Sequence, residues 1–186
     1  MRSTRMAVIL ILAFAAGCMN PNKKVPPPGK PSEPPPATGA MTITSPAFAP
    51  GGTIPAQYTC NGAGAIPPLT FTNVPQTAHS MAIEVTDPDA PNGTFTHWLV
   101  WNIPTNVTEF KGGDLIPDGT IQGLNGFGTS KWGAPCPPNG VHHYVFDLYA
   151  LDNTLPLTST QGRDDFENAI KGHVVAQAKL VGLYGK

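Results

Sequence analysis

The sequence predicts a mostly β protein with one C-terminal helix. Of its 186 residues, 22 are Pro and 20 are Gly. Only 12% are charged, against a usual share of about 25%. Helical bundles and coiled coils need many charged residues and few helix breakers, so this composition favours strands joined by many turns. With 40% hydrophobic residues, the chain can build the core of one domain.

Three segments have strand patterns, and loops rich in Pro and Gly separate them. Residues 80–86 alternate at a period of two, which is typical of a half-buried strand. Residues 97–103 are apolar on both faces, as in a strand buried in the middle of a sandwich. Residues 142–151 are the third segment with a strand pattern. Residues 87–96 and 131–141 are predicted loops.

The end of the chain changes to a helical period, and we predict a helix over residues 164–183. The apolar side chains at four-residue spacing are Phe166, Ile170 and Val174. Asp164 is the candidate N-cap and Gly182 the candidate C-cap.

The N-terminus has the pattern of an export signal. Arg2 and Arg5 precede an apolar run over residues 6–16, which is too short for a membrane span of about 20 residues. The ending at Cys18 resembles a bacterial lipoprotein signal, in which cleavage precedes the Cys and its thiol is lipidated. An ordinary signal peptide cut nearby is the alternative. Met19 resembles the sorting pattern for the outer membrane, if the source is Gram-negative.

The segment after Cys18 predicts a tether. Residues 19–40 contain eight Pro and only two large apolar side chains, so they cannot build a core. Repeated Pro favours an extended polyproline II chain of about 3.1 Å per residue. We therefore expect a signal peptide at 1–17, a lipidated Cys and disordered tether at 18–40, and a folded domain at 41–186. The protein would face the periplasm or cell envelope, anchored to the membrane without spanning it.

The N-terminal region and the predicted domain have net charges of opposite sign. Residues 1–40 carry five basic side chains and one acid, a net charge of +4, whereas residues 41–186 carry six and eleven, a net charge of −5. The folded part therefore lacks the basic surface that nucleic acid requires, and no nucleic-acid partner is expected.

Two cysteines remain once Cys18 is assigned to lipidation. An even number in an exported chain favours a disulfide between Cys60 and Cys136. The alternative is that Cys136 and His142 form a Cys–His nucleophile, which a disulfide would eliminate.

Polar groups occur where the predicted strands begin and end. Asp87 and Asp89 follow the first strand, His97 opens the second, and a Pro-rich loop over residues 135–138 leads into the third. Loops at strand ends can bring such groups into one concave site.

The third strand begins with two histidines and a tyrosine. Strand periodicity places His142 and Tyr144 on one face, so His143 points to the other and is the weaker candidate.

Four motifs occur in the order DPDAP, HWLVWNIP, NGFG and GAPCPPNGVHHYVFDLYALD. Together they resemble the signatures of the phosphatidylethanolamine-binding protein family, also called Raf kinase inhibitor-like proteins, in its short bacterial form. The resemblance extends over residues 41–186. It implies an antiparallel β-sandwich, a large sheet packed on a smaller one, with a C-terminal helix. Ile66 and Trp132 depart from the pattern, which usually has Ser and Tyr there.

The resemblance also implies a small pocket for phosphate or a phospholipid head group. The residues carried over to it are Asp87, Asp89, Pro91, His97, Pro135, His142 and Tyr144. The two histidines and the tyrosine can donate hydrogen bonds to an anion. We expect the two aspartates to hold the imidazoles and raise their pKa values.

The expected function is therefore non-enzymatic binding, with no cofactor and no catalytic residue. One alternative is an inhibitor or scaffold of a kinase or protease, which the same pocket could serve. Less favoured alternatives are a hydrolase using a Cys–His pair and a metal site, since Asp and His are good metal ligands but no metal-binding spacing such as HExxH occurs.

Overall fold

The computed structural model describes residues 39–113 and 115–185. The predicted signal peptide, the lipidation site at Cys18 and nearly all of the predicted tether lie outside these residues. In chain order, the elements are β1 Thr42–Thr44, a 3-10 helix Ala56–Tyr58, β2 Leu69–Thr72, β3 Ser80–Asp87, β4 Phe95–Ile103, β5 Glu109–Phe110, β6 Ile121–Gln122, β7 Val141–Leu151, α1 Arg163–Ile170 and β8 Val174–Gly185. No helix among the described residues has the length and apolar character needed to cross a membrane.

The strands form two antiparallel sheets. The small sheet has three strands in the order β1-β2-β5, and the large sheet has five in the order β6-β4-β3-β7-β8. Apolar side chains of both sheets pack into one core. From the small sheet these include Ile43, Leu69, Phe71 and Phe110, and from the large sheet Ile83, Val85, Trp98, Phe146 and Leu180. The predicted sandwich-like architecture is confirmed.

A second core covers the opposite face of the large sheet. Helix α1 contributes Phe166 and Ile170, which pack with Leu99 and Trp101 of β4. Because both faces are covered, all eight residues of β3 are buried. The prediction of a half-buried strand there was wrong, since the alternation did not reveal that a helix would cover the second face.

The predicted helix over residues 164–183 is correct only over residues 164–170. Helix α1 has eight residues, and the chain continues from Val174 as strand β8, which pairs with β7 along its length. The residue at the N-cap position is Gly162, and Asp164 lies in the first turn. Gly182 lies inside the strand, where a Cβ would come within 2.6 Å of the Ile54 side chain. Its role is therefore close packing and not helix capping.

The antiparallel order brings three strand ends together. Asp87, the last residue of β3, pairs with Phe95, the first residue of β4. Strand β7 begins beside the same end of β3. The loops over residues 88–94 and 131–140 therefore lie at one end of the large sheet.

Candidate functional site

A cavity of about 350 Å³ opens between these loops and the strand ends. Its ionisable lining residues are Asp87, His97, His142 and Tyr144. The other lining residues are Ala90, Pro91, Phe95, Phe127, Cys136, Pro137 and Pro138. The cavity thus brings together five of the seven residues that the sequence predicted for the pocket.

The central polar contact is a buried pair between Asp87 and His142. The Nδ1 atom of His142 lies 2.7 Å from Oδ2 of Asp87, and both side chains are almost completely buried. The other carboxylate oxygen accepts the backbone N–H of Asp89 at 2.9 Å, a turn typical of Asp before Pro. Because Nδ1 of His142 donates to the carboxylate, Nε2 is the ring nitrogen left to serve a ligand.

His97 has a different partner. Its Nδ1 lies 2.7 Å from the carbonyl oxygen of Gly133, and the Gly133 N–H donates back to the His97 carbonyl at 2.9 Å. A carbonyl only accepts, so Nδ1 carries the proton and Nε2 of the neutral ring is an acceptor. Burial lowers the pKa of His97, although the Gly133 bond and the Asp87 charge act against it. The expectation that an aspartate would hold this ring was wrong, and burial outweighs the effect of the Asp87 charge, which acts to raise its pKa.

Tyr144 is completely buried, and its ring meets that of His97 edge to face at 5.1 Å between centroids. Burial, with the Asp87 charge, raises the pKa of Tyr144, so the hydroxyl keeps its proton. The backbone N–H of Cys136 acts on the hydroxyl oxygen and lowers the pKa against these two effects, while the hydroxyl hydrogen has no acceptor among the described residues. The hydroxyl can therefore donate to a ligand.

An aromatic wall, Phe95 and Phe127, borders the polar groups. The two rings lie 4.7 Å apart between centroids, and Phe95 also contacts His97 at 5.0 Å. A Cβ at Gly126 would lie 2.5 Å from the Phe95 ring, and one at Gly133 would lie 2.6 Å from the Phe127 ring. The sequence prediction missed both phenylalanines. An aromatic residue between glycines, as in NGFG, is the signal that could have indicated Phe127.

Two predicted pocket residues lie beside the cavity. Oδ2 of Asp89 accepts from the backbone N–H and the Nδ1 of His143, each at 2.7 Å, and these bonds lower the pKa of Asp89. This pair is exposed, and neither residue lines the cavity. Pro135 is buried and does not line the cavity, and its carbonyl accepts the Cys60 N–H at 3.0 Å.

The loop over residues 131–140 is fixed by a covalent bond. Cys60 and Cys136 form the predicted disulfide, with their Cα atoms 5.4 Å apart. Cys136 lines the cavity, so the bond links the lining of the cavity to Cys60, which follows the 3-10 helix. In this form, the sulfur of Cys136 is not available as a thiolate nucleophile.

In residues 39–113 and 115–185, no group of three or more His, Cys, Asp or Glu side chains is arranged to hold a metal ion.

The sequence model of the family described as phosphatidylethanolamine-binding protein matches residues 44–185. The chain belongs to the phosphatidylethanolamine-binding protein family. Family membership indicates a binding protein.

Relatives in the family are found in archaea as well as bacteria. A UPF0098 protein of Methanothermobacter thermautotrophicus is 44% identical over 148 residues, which cover 77% of this chain and 98% of the relative. A UPF0098 protein of Pyrococcus horikoshii is 49% identical over 139 residues, which cover 70% of each chain.

Solved structures of phosphatidylethanolamine-binding protein relatives share the fold. A homolog from Chlamydia trachomatis superposes with a TM-score of 0.76 at 39% identity, covering 79% of this chain and 98% of that one. The protein YbcL of E. coli, described as a member of the mammalian family, superposes with a TM-score of 0.75 at 30% identity, covering 80% and 99%.

Proposed function

We propose that this protein is a non-enzymatic binding protein whose pocket takes a small phosphate-bearing anion, either free or as a phospholipid head group. The observation that carries the proposal is the buried Asp87–His142 pair beside the Tyr144 hydroxyl in one cavity. Asp87 fixes the orientation of the imidazole, and the Nε2–H of the protonated ring, together with the Tyr144 hydroxyl, supplies the donors that an anion needs.

The electrostatics of the pocket favour a singly charged ligand. Among its described lining residues there is no Lys or Arg, and Asp87 adds a negative charge. A protonated His142 would only neutralise that carboxylate. A phosphate monoanion keeps one P–O–H group, which can donate to Nε2 of the neutral His97. A dianion would bring more charge and no such donor.

We further propose that the protein is exported and anchored at Cys18 by a lipid, with the Pro-rich segment as a tether. The support is the N-terminal sequence pattern. In that arrangement the pocket stays within reach of a membrane surface, where phospholipid head groups are available.

Calorimetric titration of the full chain with inorganic phosphate and with phosphoethanolamine tests the pocket. We expect both ligands to bind, and the His142→Ala variant to lose at least about tenfold in affinity, since a charge-assisted donor is worth roughly 1.5–3 kcal/mol. His143→Ala is the matched control because that neighbouring ring lies outside the cavity, and it should bind as the unmodified protein does. No heat from either ligand, or equal affinity in the His142→Ala protein, would refute the proposal.

A further inference from the structure

A second cavity, of about 310 Å³, shares no lining residue with the pocket described above. Its described lining residues are Gly64, Ile66, Gln122, Lys131 and Trp132. Ile66 and Trp132 are the two positions at which the sequence departs from the family pattern, so these two departures lie together in space.

Trp132 lines this cavity and carries an unpaired donor. The side chain is only 8% exposed, and its Nε1 atom is buried without a hydrogen-bond partner in the described structure. The indole is held between aromatic rings, stacked on Phe146 at 6.1 Å and meeting Trp98 edge to face at 5.6 Å. A buried N–H without an acceptor is unfavourable, and the packed ring cannot easily turn to find one.

Gln122 supplies a second donor. The Nε1–H of Trp98 donates to Oε1 of Gln122 at 2.6 Å, which occupies the amide oxygen and fixes the orientation of the amide. The Nε2 hydrogens of Gln122 have no partner among the described residues. The free part of this side chain is therefore a donor.

Lys131 supplies the charge. Its ammonium group forms no ion pair with any described residue, while Nδ2 of Asn125 fixes its backbone by donating to the Lys131 carbonyl at 2.8 Å. No Asp or Glu occurs among the described residues that line this cavity. Every unpaired side-chain polar group there is a donor, and one of them is a cation.

We propose that this cavity binds a small carboxylate with a flat apolar body. The carboxylate oxygens accept from the Lys131 ammonium, the Gln122 amide and the Trp132 indole. The apolar body packs on Ile66 and on the indole. A single cation matches the charge of a monoanion, and the cavity lies at the small end of the usual range for ligand pockets of about 300–1,000 Å³. The proposal is independent of the phosphate pocket.

A two-dimensional ¹H–¹⁵N NMR titration of the full chain with benzoate tests this site. The chain has three Trp residues, so Trp132→Phe identifies the Trp132 indole signal by its loss. We expect that signal to move downfield and saturate as its N–H gains an acceptor, with a Kd below about 10 mM. Lys131 is exposed, so Lys131→Met is expected to fold normally and to weaken benzoate binding at least about tenfold.

Three controls make the outcome decisive. His142→Ala should leave the benzoate titration unchanged, because it alters only the phosphate pocket. Benzylamine, with a similar shape but opposite charge, should not saturate the Trp132 signal. An unmoved indole signal, equal binding in Lys131→Met, or the same response to benzylamine would each overturn the proposal. A saturating response to phosphate stronger than that to benzoate would also overturn the assignment to a carboxylate.

Discussion

His97 and His142 differ in the partner of Nδ1, and this difference divides their roles. His142 donates to a carboxylate and leaves a nitrogen that can act as a donor when the ring is charged. His97 donates to a backbone carbonyl, and burial lowers its pKa, so it remains an uncharged acceptor near neutral pH. A ligand that satisfies both rings therefore needs acceptors and at least one proton of its own.

The affinity for a phosphate ester should therefore fall as pH rises. The second pKa of such an ester is about 6, so the monoanion with its P–O–H is lost above this pH. The pKa of His97 is lowered from its ordinary value of about 6.5, so this ring stays an acceptor at the upper end of the range and cannot replace the lost donor. We expect affinity for phosphoethanolamine to fall at least about tenfold between pH 5.5 and 8.

Calorimetry across this pH range provides the measurement. Taurine is the matched control because its sulfonate does not titrate there, and any binding of taurine should change less with pH. Equal or tighter binding of phosphoethanolamine at pH 8 would contradict the preference for a monoanion.

Removing the Tyr144 hydroxyl should separate binding from stability. Its hydroxyl hydrogen has no acceptor among the described residues and its oxygen interacts with the Cys136 backbone N–H, so Tyr144→Phe should change the free energy of unfolding by less than about 1.5 kcal/mol. Phosphate binding should weaken about fivefold or more, because the ligand loses a donor. Urea unfolding and calorimetry measure the two effects.

Tyr149→Phe is the comparison for this variant. The Tyr149 hydroxyl lies 3.5 Å from Oε2 of Glu84 and away from the pocket, so phosphate binding should be unaffected. A loss of stability above about 2 kcal/mol in Tyr144→Phe would show that its hydroxyl has a structural role instead.

At the scale of elements, strand ends and close packing position the site. Strands β3, β4 and β7 end or begin at one end of the large sheet, and their loops enclose the cavity. Glycines at 126 and 133 allow the Phe95 and Phe127 rings to approach the backbone. The second half of the predicted C-terminal helix instead became β8, because pairing with β7 satisfies its backbone along the whole strand.

Gly182→Ala tests the packing of β8. A Cβ there would lie 2.6–2.8 Å from atoms of Ile54 and Phe48, so we expect a loss of about 1–3 kcal/mol in unfolding free energy. Gly162→Ala is the control, since its nearest neighbouring atom is at an ordinary 3.7 Å. Because Gly162 is the helix N-cap and Ala is a poorer N-cap than Gly, urea unfolding should show a loss below about 1 kcal/mol in the control. An unchanged stability in Gly182→Ala would contradict the close contact with Ile54.

At the scale of the whole molecule, the disulfide supports the proposed export. The Cys60–Cys136 bond joins positions 76 residues apart and fixes the loop that lines the pocket. Such a bond contributes about 2–5 kcal/mol and persists in oxidising compartments. The net charge of −5 over residues 41–186 opposes an incoming anion, so affinity has to come from local donors.

Replacing Cys18 tests the anchor. We expect Cys18→Ser to abolish incorporation of labelled fatty acid and to move the protein from the membrane fraction to the soluble fraction. Met19→Asp is the control, because it should keep the lipid, with a shift from the outer to the inner membrane in a Gram-negative host. A Cys18→Ser protein that still carries lipid and pellets with membranes would contradict lipidation at this residue.

The sequence by itself determined the fold class, the three central strands and the disulfide pair, because strand periodicity and cysteine number can be read directly from the chain. Most of the candidate pocket followed from the resemblance of its motifs to a known family. Only the tertiary structure decided the partners of the polar groups. It paired Asp89 with the exposed His143, gave His97 a backbone acceptor, and placed Phe127 at the cavity. It also converted the predicted end of the helix into β8, because the neighbouring strand β7, which no local pattern reveals, supplies the hydrogen bonds that favour an extended chain.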